Sequence, residues 1–158
     1  MFYTAKIAKK KHPGAKVVFI GPCLAKKKEV RDNPDTDMAI TFEEIGSVFA
    51  GLHIDFETIP SFIPEVQSYK AAHAFAKSGG VIGAVKYILK DEQLEATAIA
   101  NLDKKNIAFL RGIAKTAKAP SPFVEVMACE GGCCTGPLIY NDPAAALRNL
   151  NSKLNNMK

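Results

Sequence analysis

The chain has 158 residues, of which 47% are hydrophobic and 23% charged, and its net charge is +5. That is long enough for one domain with a sizeable core and too apolar for a disordered chain. No apolar run reaches membrane-spanning length, and the start, MFYTAKIAKKKHPG, lacks the h-region and cleavage site of a signal peptide, so a cytoplasmic location is expected.

Residues 2–11 place Phe2, Ala5, Ile7 and Ala8 at helical spacing, and His12-Pro13-Gly14 ends that helix. KVVFI (16–20) is an unbroken β-branched run, the pattern of a parallel-sheet strand buried on both faces. It ends in Gly21-Pro22-Cys23, and LAKKKEVR follows as a helix. DNPDT (32–36) is a turn and DMAIT (37–41) a second strand. Thr41-Phe42-Glu43-Glu44 has the form of a capping box and predicts a helix from Phe42 to about Gly51. Pro60 and Pro64 predict an irregular stretch over 53–69, and 66–77 has helical character. Ser78-Gly79-Gly80 opens a helix through VIGAVKYILK. LEATAIAN (94–101) reads as a strand, and Asp103 caps a helix reaching about Lys118. PFVEVMA (122–128) is a further buried strand, and a last helix starts near Pro143. The alternation predicts an α/β fold, about four strands in a mostly parallel sheet flanked by helices, as a single partial domain over 1–158.

The lysine runs KIAKKKH and AKKKEVR occur without interleaved aromatics, arginine is scarce and tryptophan absent. Solvated helix faces explain them better than nucleic-acid binding. The cysteines carry more information. Cys23 follows one strand, and Cys129, Cys133 and Cys134 follow another, at the ends where open α/β sheets build their sites. Four cysteines in a reducing compartment point to metal or catalysis before disulfides. Cys129 and Cys133 have a permitted ligand spacing, and Cys134 points away as a neighbour. Cys23, Cys129 and Cys133 then make three soft donors, one short of the usual four. Gly131 and Gly132 allow a sharp turn and leave amides for cluster sulfides. The other reading is buried free cysteines on a tight turn, and spacing alone leaves both open.

Lys26 shares a helix face with Cys23 near a helix N-terminus, where it would serve an anionic ligand or face water like Lys27 and Lys28. His12, His53 and His73 have no partner spacing, and Met127 reads as core. Glu29 and Glu125 read as structural salt-bridge partners. No Walker loop, Ser/His/Asp set or GxGxxG is present.

Taken together, PCLAKKKE (22–29) and FVEVMACEGGC (123–133) resemble the second and third cysteine motifs of the iron-only ([FeFe]) hydrogenase large subunit, C-terminal domain. DMAITFEEI and SGGVIGAV also look like family sequence, so the resemblance covers nearly the whole chain. It implies one lobe of the hydrogenase fold and, in the intact parent, an H-cluster: a [4Fe–4S] cubane joined to a di-iron subcluster. It implies that Cys23, Cys129 and Cys133 are metal ligands, with Cys133 bridging both parts. By the same resemblance Lys26 hydrogen-bonds a cyanide of the di-iron unit, and Met127 packs against it. The implied reaction is 2H⁺ + 2e⁻ ⇌ H₂, with an electron carrier such as ferredoxin.

The family's first motif, T-S-C-C-P, is absent, so the chain is expected to be an inactive fragment whose upstream lobe is missing, without an intact H-cluster and prone to self-association. Gly21 replaces a common methionine, CTGPLIY replaces a glycine-rich tail, and Gly83 replaces a common glutamate. These departures resemble the sensory branch of the family. A hydrogen or redox sensor, or an iron–sulfur assembly-type homologue, is therefore the second expectation, and a zinc-stabilised binding module a remote third.

Overall fold

The computed structural model describes residues 1–60, 62 and 69–157. They cluster into two compact units. The first comes from residues 1–63 and Pro137–Tyr140, the second from residues 64–136 and 141–158.

The first unit is α1 (Phe2–Lys11), β1 (Val18–Ile20), α2 (Ala25–Asp32), β2 (Met38–Ile40) and α3 (Phe42–Gly51). Strands β1 and β2 pair in parallel, Val18 opposite Met38 and Ile20 opposite Ile40, with α2 as the crossover a parallel pair requires. Both strands stop after three residues. Pro22 brings no N–H to prolong β1, and the Thr41 N–H after β2 donates to Glu44 Oε2 at 2.8 Å. That bond and its reciprocal, Glu44 N–H to Thr41 Oγ1 at 3.2 Å, make the expected capping box of α3. The α2–β2 turn is held by buried Asn33, whose Nδ2 donates to Thr36 Oγ1 at 3.1 Å. Asp37 then gathers the unit's edge. It accepts from Lys9 Nζ at 2.6 Å, Lys16 Nζ at 3.1 Å and the Val17 N–H at 2.7 Å.

Helix α3 faces an apolar hollow of about 450 Å³, lined by Phe42, Ile45, Gly46, Phe49, Phe56 and Tyr140. Phe49 and Phe56 meet edge to face at 5.2 Å. Tyr140 Oη donates to the Glu43 carbonyl at 3.2 Å and fills the space above Gly46.

The second unit is α4 (Lys70–His73) running into a 3₁₀ turn (Ala74–Ala76), then α5 (Gly80–Leu89), β3 (Ala96–Ala100), α6 (Lys104–Thr116), β4 (Phe123–Met127), a second 3₁₀ turn (Cys133–Thr135) and α7 (Pro143–Asn156). Strands β3 and β4 are parallel, from Ala96 opposite Phe123 to Ala100 opposite Met127. Asp103 and Asp142 cap α6 and α7 by accepting the Asn106 and Ala145 N–H groups, each at 2.8 Å. Among the described residues, Ala84, Ile99 and Leu154 are its buried apolar side chains. Lys70–Ala76 bears out the later part of the helical character read over 66–77; residues 61 and 63–68 of the stretch read as irregular lie outside the described residues.

The expected α/β class and parallel pairing hold, and the four strands among the described residues lie as two two-stranded sheets, one in each unit. Strand β1, however, is not buried on both faces as expected: Val18 and Ile20 are 44% and 48% exposed. Successive side chains alternate, so these two share a face and half-buried Phe19 points to the other. In β4, likewise, Val126 is exposed while Glu125 is buried.

Candidate metal centre

Strand β4 delivers Met127 to the start of the cysteine loop. Met127 and Cys129 are half-buried, and Cys133, at the head of the second 3₁₀ turn, is exposed. The loop turns on Gly131 and Gly132, whose φ values of 79° and 97° lie where an L side chain is strained. The turn is stitched internally. Gly132 N–H donates to the Cys129 carbonyl at 3.2 Å, Gly136 N–H to the Cys133 carbonyl at 3.0 Å, and Thr135 Oγ1 to the Gly132 carbonyl at 2.9 Å. Thr135 Oγ1 also reaches the Glu130 carbonyl. Cys134 Sγ donates to the Gly131 carbonyl at 3.6 Å, and burial pushes its thiol above the ordinary range.

Cys23 and Lys26 belong to the first unit. Cys23 is half-buried, two residues before α2, and Lys26 lies in the first turn of α2. Lys26 Nζ pairs with Glu29, which meets the expected structural role for Glu29. Lys27, expected to face water, instead pairs with Glu44 at 2.5 Å, across to α3. Lys28 pairs along its own helix with Asp32 at 2.8 Å. His12 and His53 are exposed, and His73 is half-buried in α4.

Glu125 is the residue whose role sequence reading missed. It forms no salt bridge among the described pairs; its carboxylate accepts two backbone N–H groups at the start of α5, from Gly79 at 2.7 Å and Ile82 at 2.9 Å. A signal existed in Ser78-Gly79-Gly80, a helix start with no side-chain cap and no acidic first turn.

As a donor set, the second unit offers Cys129 and Cys133 and the first offers Cys23. No disulfide joins them. Within either unit, no three His, Cys, Asp or Glu among the described residues converge on a metal position. A cubane takes four thiolates, so these donors do not complete one. The loop's soft donors and tight turn remain the chemistry such a group uses at one side of its site.

A family model described as iron only hydrogenase large subunit, C-terminal domain, matches residues 1–137, through both cysteine segments. The chain belongs to this iron-only hydrogenase family. The hydrogenase match ends one residue after Gly136, so α7 lies beyond it. A curated relative, the NADP-reducing hydrogenase subunit HndD of Solidesulfovibrio fructosivorans, is 29% identical over 76% of this chain. The chain spans 27% of that relative's length. Among solved hydrogenase structures, HydA(deltaEFG), described as revealing stepwise [FeFe]-hydrogenase H-cluster assembly, superposes with a TM-score of 0.58. That superposition covers 94% of this chain and 55% of the other at 21% identity, a likeness of fold. No helix among the described residues is long and apolar enough to cross a membrane.

Proposed function

We propose that this chain is part of a cytoplasmic [FeFe]-hydrogenase-type iron–sulfur protein whose intact form interconverts 2H⁺ + 2e⁻ and H₂ at an H-cluster. The observation that carries the reading is the family match running through both cysteine segments, each placed after the C-terminal end of a parallel strand. In this reading Cys23, Cys129 and Cys133 are iron ligands, with Gly131 and Gly132 shaping the loop. Lys26 donates to an anionic ligand of the cluster and Met127 packs beside it. Lys26 must then leave Glu29 or share it. Both units belong to one H-cluster domain, completed by an upstream lobe that brings the remaining thiolate, with ferredoxin or a similar carrier as electron partner. The 158-residue chain alone, with three of four thiolates, is inactive.

The experiment is anaerobic production of the full-length parent with the maturation enzymes, followed by infrared spectroscopy of iron-bound CO and cyanide. Their absence, with a plain [4Fe–4S] signal, would sink the hydrogenase reading. In the chain itself, Cys23→Ser should lower the iron held after reconstitution; unchanged iron content would remove Cys23 from the ligand set.

Gly83 supports a second reading, a non-catalytic hydrogen or redox sensor. It stands on α5 with open space where a side chain would be, and so offers no carboxylate to a proton path at that position. Infrared bands without turnover in the parent would select the sensor.

A further inference from the structure

Helix α5 has no side-chain cap of its own. Gly79 occupies its N-cap in the left-handed region, φ 81°. An uncapped first turn leaves amides to be satisfied from elsewhere. Glu125 supplies the partner. It is 4% exposed, in the middle of β4, and takes both the Gly79 and Ile82 N–H groups on its two carboxylate oxygens. The loop that follows β4 then comes back to the same segment. The Gly131 carbonyl accepts the Ser78 N–H at 3.0 Å, and a Cβ at Gly132 would stand 2.7 Å from the Lys77 Cα. The Gly131 carbonyl also takes the Cys134 thiol. One strand and its loop thus grip residues 77–82 at positions 125, 131 and 132.

We propose that Glu125 is the positioning residue of the cysteine loop. By seating the first turn of α5 it fixes Ser78, and through the Gly131 carbonyl Ser78 fixes the backbone on which Cys129, Cys133 and Cys134 stand. Bonds from amides to a buried carboxylate are charge-assisted and strong, and removing the acceptor strands the donors. Gly132 is then needed for close approach to Lys77 as much as for its φ. The purpose of this grip, preorganising two iron ligands, rests on the proposed function; the coupling itself does not.

The test uses the whole 158-residue chain. Glu125→Gln keeps the size of the side chain but turns one acceptor into a donor facing a donor. Iodoacetamide labelling, followed by peptide mass spectrometry, should show alkylation of Cys129 and Cys134 faster by about tenfold, with Cys23 in the other unit unchanged. Glu125→Asp, retaining both acceptor oxygens on a shorter arm, should recover part of the protection. Unchanged rates, or an equal rise at Cys23, overturn the proposal. Should Glu125→Gln fail to fold, hydrogen exchange on the unmodified chain decides. The Ser78, Gly79, Ile82 and Gly132 amides should share one protection factor, and a spread beyond about tenfold overturns the coupling. Iron reconstitution is the separate arm. An unmodified chain that takes up no iron while the labelling pattern holds removes the iron reading and leaves the coupling standing.

Discussion

Thr41 and Glu44 make the capping box, and Lys27 adds a charge to it. The Lys27 ammonium and then the Thr41 N–H hold the Glu44 carboxyl down at about 2, against an ordinary 4.5. Lys9 and the Val17 amide hold Asp37 well below the carboxylate range as well. A lowered folded value means the contribution is complete above the unfolded value and fades as pH falls through the folded one. Urea midpoints of the unmodified chain should therefore fall between pH 4.5 and 2, and Glu44→Gln should flatten that slope. A parallel slope in both proteins would contradict the assignment. Gly46 offers a sharper residue-scale test. Glycine in a helix interior ordinarily gains roughly 1 kcal/mol on becoming alanine. Here the new Cβ would collide with the Tyr140 Oη, so the exposed ring must swing aside and give up its bond to the Glu43 carbonyl, and Gly46→Ala should lose most of that gain. Combining it with Tyr140→Ala should remove the clash, and a thermal melt of the pair reports whether it does.

At the scale of elements, helix ends were legible and sheet burial was not. Thr41, Asp103 and Asp142 cap helices through bonds to amides three residues on, so the signal lies within one short stretch. Glu125 caps α5 from 43 residues beyond Ile82, and no local pattern carries that. The apolar run of β1 predicts burial on both faces because the pattern records what a strand can bury, not what covers it. The ends of α5 and α6 show the same physics with opposite signs. Ala117 terminates α6 in the left-handed region at φ 55°, where glycine is favoured. Ala117→Gly should stabilise by about 1 kcal/mol and raise the melting temperature. Gly79→Ala, at φ 81°, should lower it by a similar amount of about 1 kcal/mol, and calorimetry on both variants tests the pair.

At the scale of the whole molecule, little apolar material is hidden among the described residues. Among the described residues the buried apolar side chains are Ala5, Ala84, Ile99 and Leu154, while Val18, Ile20, Met38, Ile88, Leu89 and Phe109 are exposed. Exposed apolar surface of this kind drives association. Sedimentation velocity should show a weight-average coefficient that climbs with protein concentration, less steeply in Ile20→Lys. A concentration-independent monomer would count against it. The candidate site divides in the same way. Cys129, Cys133 and the glycines between them are adjacent in the chain and could be read directly, whereas the support behind Gly132 comes from Lys77 and Ser78, more than fifty residues earlier.

The bonds around Asp37 have a consequence for handling the protein. Lys9 and Asp37 shelter each other, their side chains 28% and 25% exposed, whereas Lys16 is 82% exposed. Salt screens exposed charges beyond a Debye length of about 8 Å at physiological ionic strength, which shrinks to about 3 Å at 1 M, and it weakens a sheltered pair far less. Added salt therefore loosens the Lys16 arm first, at the approach to β1, and leaves α1 tied to Asp37 through Lys9, so the contacts gathered on Asp37 give way in two stages as a buffer is made more concentrated.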